Sequence, residues 1–242
     1  MEAIRTVSLT KQYKDVTAVD HLDLSIARGE LLSLLGVNGA GKTTTIKMLS
    51  CLSTPTSGDA FLCGKSIRKE ASEVKGLIAV SPQETAVAPG LTVYENLALM
   101  CGVHGFSKEK RNGRIEALTG MLGLGNILQK KAGKLSGGWQ RRLSIAMALI
   151  SEPDILFLDE PTLGLDVLAR SELWDVIRAL KGSMTIVLTT HYMEEAEALS
   201  DRIAIMKDGK LLLCETPEKI KALAKADSIE QAFIQIVKGE VK

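Results

Sequence analysis

The feature that most constrains the fold is an apolar run that ends in a glycine-rich loop. Residues 31–35 are almost continuously apolar, and residues 36–43, GVNGAGKT, follow at once. The loop matches the pattern G-x-x-x-x-G-K-[ST], and an apolar helix pattern at Ile46, Met48, Leu49 and Leu52 comes next. Because strand, loop and helix follow in the order of a P-loop unit, the sequence predicts a nucleotide-binding α/β core.

The loop indicates how phosphates would be bound. Its backbone N–H groups can turn inward around an anion, and the following helix N-terminus adds a partial positive charge. Lys42 is expected to reach the β and γ phosphates, and the Thr43 hydroxyl to bind Mg²⁺. The predicted nucleotide contacts here are Gly36, Asn38, Gly39, Ala40, Gly41, Lys42, Thr43 and Thr44. The alternative is a tight glycine turn without a ligand.

A second apolar run, residues 155–158, ends in two acids, Asp159 and Glu160. A P-loop requires a carboxylate at the end of a neighbouring strand to hold the metal ion, and Asp159 has that position. Glu160 is placed to polarise the attacking water. Without the P-loop, two acids at a strand end would equally fit an ordinary solvated turn.

Further strand signals point to two kinds of sheet. Apolar and polar residues alternate over residues 4–9 and 19–26, which is typical of half-buried antiparallel strands. Residues 185–190 are β-branched and apolar, as in strands buried on both faces of a parallel sheet. Asp208-Gly209 predicts a hairpin turn before an apolar segment at 211–214.

Between residues 84 and 134 helix signals replace strand signals. Thr92 and Glu95 fit a capping box, and Ser107 fits the cap of a helix that carries Ile115, Leu118 and Leu122. The expected fold is therefore α/β, with a mainly parallel P-loop sheet, an N-terminal antiparallel β subdomain and an inserted helical lobe. Thr216-Pro217 predicts a further helix near the C-terminus.

Composition excludes several classes of function. Lys and Arg number 30 against 29 Asp and Glu, so there is no net basic field, and a nucleic-acid partner is not expected. The four cysteines and three histidines are scattered without the spacing of a zinc site or a disulfide framework. Without a signal peptide or an apolar run of roughly 18–20 residues, the chain is expected to be cytosolic.

The stretch at 135–143, LSGGWQRRL, separates this chain from other P-loop proteins. Ser136, Gly137 and Gly138 precede a helix pattern and present a hydroxyl and free N–H groups, which is a second anion site. Together with the P-loop and the acidic strand, the stretch resembles the signature of the ATP-binding cassette (ABC) ATPases. The resemblance covers nearly the whole chain, which reads as one nucleotide-binding domain, 1–242, with a helical lobe at about 84–150 and a helical tail at about 215–242.

The resemblance extends to more positions and implies a role for each. It implies ATP and Mg²⁺ as ligands, with Tyr13 stacking on adenine and Gln83 linking the metal and water to the lobe. Glu160 would act as general base, and His191 would contact the γ phosphate. Taken alone, Tyr13 also fits a surface or core aromatic residue, and a lone histidine is more often structural.

Two sites in one chain imply a partner. In the family, two cassettes pack head to tail, so that each P-loop nucleotide faces the other cassette's Ser136, Gly137 and Gly138. Asp166, in Gly164-Leu165-Asp166, would signal across that dimer. The pair could be a homodimer or a heterodimer.

The segments LSGGWQRRL, TTHYMEEAE and DSIEQAF are similar to type-2 exporter cassettes, in which a separate integral membrane permease forms the path. The chain would then lie on the cytoplasmic face of the membrane, held by the permease. Trp139, Leu163 and Val167 depart from the usual family residues without removing a catalytic group. The alternatives are an importer ATPase, a soluble cassette acting on ribosomes or DNA, and a P-loop kinase or GTP switch.

Overall fold

The computed structural model describes residues 1–240 of the 242-residue chain. Within this range eleven strands form two sheets and nine α-helices surround them. The strands are β1 (Glu2–Tyr13), β2 (Val16–Leu22), β3 (Ser25–Ala27), β4 (Leu31–Leu35), β5 (Ser57–Leu62), β6 (Lys65–Ser66), β7 (Ile78–Ser81), β8 (Ile155–Asp159), β9 (Thr185–Thr190), β10 (Arg202–Lys207) and β11 (Lys210–Glu215). The helices are α1 (Lys42–Leu49), α2 (Ala71–Leu77), α3 (Val93–Val103), α4 (Lys108–Met121), α5 (Gly137–Leu149), α6 (Val167–Leu180), α7 (Met193–Leu199), α8 (Pro217–Ala224) and α9 (Ile229–Lys238).

The larger sheet has six strands in the order β11-β10-β4-β9-β8-β7, and all neighbours except β10 and β11 are parallel. Every residue of β4, β8 and β9 is buried, as expected for strands covered on both faces. The predicted strands at 31–35, 155–158 and 185–190 are confirmed. The carboxyl ends of these parallel strands meet at one edge, and that edge positions the site.

The smaller sheet is antiparallel, and one strand prediction within it is wrong. The predicted strand at 19–26 is two strands, β2 and β3, which pair with different parts of β1. At the break between β2 and β3, the backbone is hydrogen-bonded by the side chain of Thr6 in β1. The Thr6 hydroxyl donates to Leu22 O at 2.7 Å and accepts from Leu24 N at 2.8 Å. The expected antiparallel β subdomain is present.

Helices α3, α4 and α5 form the predicted helical lobe. The capping box is confirmed, since Thr92 Oγ1 accepts from Glu95 N at 3.2 Å and Glu95 Oε2 accepts from Thr92 N at 2.7 Å. Ser107 caps α4 by accepting from Lys110 N. None of the helices in residues 1–240 has the length and hydrophobicity needed to cross a membrane.

The end of helix α1 and the C-terminal part of the chain can be compared with their predictions. Helix α1 ends at Leu49, Cys51 has a φ of 56°, and Leu52 is 68% exposed, so the apolar pattern extended one turn too far. The β10–β11 hairpin and the Thr216 cap with Pro217 are confirmed. Helices α8 and α9 pack against each other and α9 packs on α7, while residues 241–242 of the predicted tail lie outside the described residues.

Candidate functional site

A cavity of about 880 Å³ lies at the carboxyl edge of the larger sheet. It brings together eleven residues that the sequence nominated: Tyr13, Asn38, Gly39, Ala40, Gly41, Lys42, Thr43, Thr44, Gln83, Glu160 and His191. Its wall also includes residues that no motif indicated, namely Val16, Thr17, Ala18 and Asp208. Residues from six separate segments therefore surround one space that is large enough for a nucleotide.

The P-loop backbone depends on glycine at specific points. Gly41 has a φ of 102°, and a Cβ there would collide with the carbonyl oxygen of Ala18. A Cβ on Gly36 would lie 2.6 Å from the carbonyl oxygen of Met206. The close approach of β2 and β10 thus requires bare backbone at both ends of the loop. The resulting cradle of N–H groups at the start of α1 fits phosphate oxygens.

Lys42 is a buried cation at the base of this cradle. It is 5% exposed, and its Nζ donates to Gly36 O at 2.7 Å and to Val37 O at 3.3 Å. Its Nζ also lies 3.8 Å from Glu160 Oε1. Burial lowers the pKa of Lys42, and the negative charges of Glu160 and Asp159 oppose that shift. Because the two carboxylates favour the charged form, Lys42 can present an ammonium group to a phosphate at the base of the cradle.

Thr43 and Asp159 form an oxygen pair that suits a hard cation. Thr43 Oγ1 donates to Asp159 Oδ1 at 3.2 Å, and Asp159 Oδ1 also accepts from Thr189 Oγ1 at 2.5 Å. Mg²⁺ prefers one or two such protein oxygens together with phosphate and water. Within residues 1–240, no group of three or more His, Cys, Asp or Glu side chains could hold a metal by itself. The residues present therefore fit Mg²⁺ bound together with a nucleotide.

Glu160 and His191 are paired at the mouth of the site. His191 Nδ1 lies 2.9 Å from Glu160 Oε2. Glu160 has a φ of 47°, which is uncommon for a residue with a side chain, and its N–H donates to Thr189 O at 3.1 Å and to Thr189 Oγ1 at 3.0 Å. The strained backbone turns the carboxylate out of the sheet and toward the histidine.

His191 is itself part of a stack of side chains. The centre of its ring lies 4.2 Å from the centre of the Tyr192 ring, and the Arg170 guanidinium lies 4.4 Å from the centre of the same Tyr192 ring. The stack connects the histidine to the first turns of α6 through a cation–π interaction. Sequence reasoning nominated His191 but missed both supporting residues.

The second predicted anion site lies outside the cavity. Ser136 caps α5 without a side-chain hydrogen bond to the helix, and Ser136 and Gly137 are exposed. A Cβ on Gly137 would lie 3.4 Å from Leu165 Cδ2, and Asp166 caps α6 by accepting from Ala169 N at 2.9 Å. The two groups expected to face a partner, residues 136–138 and Asp166, are therefore neighbours, apart from the P-loop of the same chain.

Two important site residues were missed from the sequence. Thr189 binds both Asp159 and the backbone of Glu160, but β9 also contains Thr185 and Thr190, so no sequence signal singled it out. Arg141 on α5 is 4% exposed and donates to Pro82 O at 2.6 Å and to Gln83 O at 2.5 Å. It joins the signature helix to the glutamine loop, and nothing in the sequence distinguishes it from Arg142.

Comparison with known proteins agrees with these motifs. The sequence model of the family described as "ABC transporter" matches residues 19–163. The chain is 39% identical to the "Probable multidrug ABC transporter ATP-binding protein YbhF" of Escherichia coli strain K12, over 97% of this chain and 41% of that protein. It thus spans about two fifths of the length of that relative.

Two further similar proteins match over most of this chain and most of their own length. "Nod factor export ATP-binding protein I" of Burkholderia orbicola is 40% identical over 88% of this chain and 70% of that protein. Among solved structures, the dimer of the ATP-binding cassette MJ0796 in a post-hydrolysis state with ADP and Pi has a TM-score of 0.77. It is 28% identical and covers 88% of this chain and 98% of that one.

Proposed function

The chain belongs to the ABC transporter family, and from this premise we propose that it binds and hydrolyses ATP to drive a separate membrane permease, in the direction of export. The observation that carries the proposal is the convergence of P-loop, acidic strand and histidine on one cavity. We further propose that residues 1–242 are a single nucleotide-binding domain, with its helical lobe at about 84–150 and its tail at about 215–242.

ATP binding is assigned to the P-loop and Tyr13. The N–H groups at the start of α1 and the Lys42 ammonium would hold the phosphates, and the half-exposed Tyr13 ring would stack on adenine. Thr43 and Asp159, with Gln83 nearby in the cavity, would hold Mg²⁺. When bound, Mg²⁺ would supply positive charge that offsets the charge of the phosphates.

Hydrolysis is assigned to Glu160 and His191. The Glu160 carboxylate would accept a hydrogen bond from the attacking water and take its proton as the water oxygen bonds to the γ phosphorus, while the bond from that phosphorus to the β–γ bridging oxygen breaks and ADP leaves with its electron pair. Because the Glu160 carboxylate oxygen can only accept, the proton of this pair is on Nδ1 of His191, and a hydrogen bond to the γ phosphate would need a second proton, on Nε2. Thr189 keeps Glu160 in its strained conformation during this step.

The second half of the site would come from another cassette. The exposed N-terminus of α5 at Ser136, Gly137 and Gly138 fits the phosphates of a nucleotide held by a partner P-loop, and Asp166 lies beside it. A head-to-tail pair, of two copies or with a different cassette, would close on ATP and open after hydrolysis. The MJ0796 cassette is described as dimeric, which supports the pairing of two cassettes.

The remaining elements of the proposal concern the membrane. The permease would hold the chain at the cytoplasmic face, and the printed name of the Nod factor relative supports export. The surface around residues 83–91 and the helical lobe is the proposed contact with that permease. A cassette of this kind touches ATP and the permease, so the cargo is determined elsewhere.

The test uses Glu160→Gln, which keeps the hydrogen bond to His191 and removes the base. Molecular mass is measured by light scattering after size exclusion, with and without Mg-ATP, for the variant and the wild type. We expect the variant to bind ATP, to hydrolyse it very slowly and to shift from monomer to dimer, while the wild type shifts little.

The matched control adds Ser136→Arg to the same variant. The arginine side chain is much larger than that of serine and should keep the partner's nucleotide phosphates away from the α5 N-terminus. It should abolish the ATP-dependent dimer without changing ATP binding to the P-loop. A Glu160→Gln variant that remains monomeric at saturating ATP, beside a wild type that hydrolyses ATP as a monomer, would refute the two-cassette mechanism.

A further inference from the structure

Glu195 is a buried carboxylate that the assigned chemistry leaves without a role. It lies in α7, four residues after His191, and its exposure is 0%; no other carboxylate in residues 1–240 is completely buried. Its Oε1 accepts from Thr162 Oγ1 at 2.8 Å and from Trp174 Nε1 at 3.1 Å. One oxygen atom therefore joins three separate parts of the chain.

These three parts carry the groups that act on ATP. Thr162 is fully buried and lies two residues after Glu160, in the segment that leads to Asp166. Trp174 lies in α6, the helix that Asp166 caps. Glu195 itself is on the helix that directly follows His191 and Tyr192. Hydrogen bonds to Glu195 thus join the histidine segment to the segment from Glu160 to Asp166.

Packing alone does not account for a carboxyl group at this position. Its helix neighbours Ala196 and Leu199 are buried in apolar clusters, and a leucine would fill the space without the cost of burying a polar group. That cost is visible, because burial raises the pKa of Glu195 while hydrogen bonds from Thr190, Thr162 and Trp174 oppose the shift. Directional hydrogen bonds are what the carboxyl group adds to the packing.

The second oxygen of the Glu195 carboxyl group, Oε2, has different surroundings from Oε1. No donor within the described chain meets hydrogen-bond geometry at Oε2, although the Thr190 side chain lies close enough to the carboxyl group to lower its pKa. Oε1 thus makes both hydrogen bonds, and a glutamine amide oxygen can replace it at the same place. An uncharged isostere should therefore keep the connection, whereas an apolar residue should remove it.

We propose that Glu195 is a positioning residue that holds His191 and the segment from Glu160 to Asp166 in fixed relative orientation for ATP hydrolysis. The inference rests on the proposed function, since it assigns to Glu195 an effect on the hydrolytic step. It predicts an effect on kcat rather than on ATP binding, because neither the P-loop nor Tyr13 contacts this network.

The experiment compares Glu195→Leu, Glu195→Gln and Thr162→Val in the full chain, with Glu194→Leu as an exposed control on the same helix. Steady-state ATPase measurements give kcat and KM, and thermal unfolding gives Tm. We expect Glu195→Leu to lower kcat about tenfold or more with KM nearly unchanged, since small displacements of reacting groups are costly. Its Tm should fall, because the buried Thr162 hydroxyl and the Trp174 N–H lose their acceptor, so kcat is measured well below the Tm of every variant.

Three further results are expected. Glu195→Gln should retain most of the wild-type kcat, Thr162→Val should reproduce part of the loss with little change in volume, and Glu194→Leu should have no effect. The double variant of Thr162→Val with Glu195→Leu should be no slower than Glu195→Leu alone, because both remove the same connection.

Two results would overturn the inference while leaving the proposed function intact. One is a folded Glu195→Leu variant with wild-type kcat. The other is a similar loss of kcat in both Glu195 variants, accompanied by a similar drop in Tm, as general destabilisation would produce. A wild-type chain that binds no ATP or hydrolyses none with its partners present would instead refute the proposed function itself.

Discussion

Replacing Gly41 by alanine tests whether close backbone approach fixes the P-loop. Gly41 has a φ of 102°, so an alanine there would be strained by roughly 1–2 kcal/mol. Its Cβ would also collide with Ala18 O and lie 3.3 Å from Val19 Cγ2 and 3.5 Å from the Cα of Gly209. Forcing extra volume into such a site costs about 1–3 kcal/mol more. The expected loss of unfolding free energy is therefore roughly 2–5 kcal/mol.

Gly39→Ala is the matched control for this experiment. Gly39 has a φ of 82° in the same loop, but a Cβ there would meet nothing within 4 Å. The variant should lose only the backbone strain, roughly 1–2 kcal/mol. Because both changes are glycine to alanine, the loss of unfolded-state entropy is the same in each and cancels in the difference.

The assay is urea unfolding of the wild type and both variants at 25 °C, followed by circular dichroism and analysed for the free energy in water. We expect Gly41→Ala to be less stable than Gly39→Ala by at least about 1 kcal/mol. Equal losses in the two variants would refute the reasoning, since they would show that the contacts with Ala18 and Gly209 do not constrain the loop.

Three other expectations can be measured independently. Thr189→Val should lower kcat for ATP and cost roughly 1–3 kcal/mol of stability, because Asp159 and the Glu160 N–H each lose a partner; unchanged kcat would contradict this. Tyr192→Ala should reduce kcat more than ATP affinity, since it removes the ring that contacts both Arg170 and His191; an effect on affinity alone would contradict it. Burial raises the pKa of Cys214 to about 11, so the unfolded thiol ionises first and stability should fall as pH rises from about 9 to 11. Cys214→Ala should lack that part of the loss, and parallel pH curves for variant and wild type would refute it.

The sequence predicted what is determined by local pattern. Strands β4, β8 and β9 are buried on both faces, so their apolar runs were informative without any knowledge of their neighbours. The capping box at Thr92 and the hairpin at Asp208 depend on residues a few positions apart, and both were found. Motif spacing likewise indicated the P-loop residues that line the cavity.

The sequence did not predict what depends on the pairing of distant segments. The break between β2 and β3 arises where Thr6 intervenes, sixteen residues from its acceptor on Leu22. Ala18 and Asp208 line the cavity because β2 and the β10–β11 turn lie against the P-loop. Glu195 in a helix pattern gave no sign of its burial, because burial there is determined by Thr162 and Trp174.

The strand order of the larger sheet has a consequence for how the chain can fold during synthesis. Strand β4, which leads into the P-loop, lies between β9 and β10, which start 154 (185 − 31) and 171 (202 − 31) residues after the start of β4. On the ribosome, the phosphate-binding loop emerges early but its strand cannot pair until residues 185–207 have followed. A nascent chain that stops before Thr185 would expose an unpaired apolar strand and should not retain nucleotide. The phosphate-binding loop is thus made early but is among the last parts of the site to become functional.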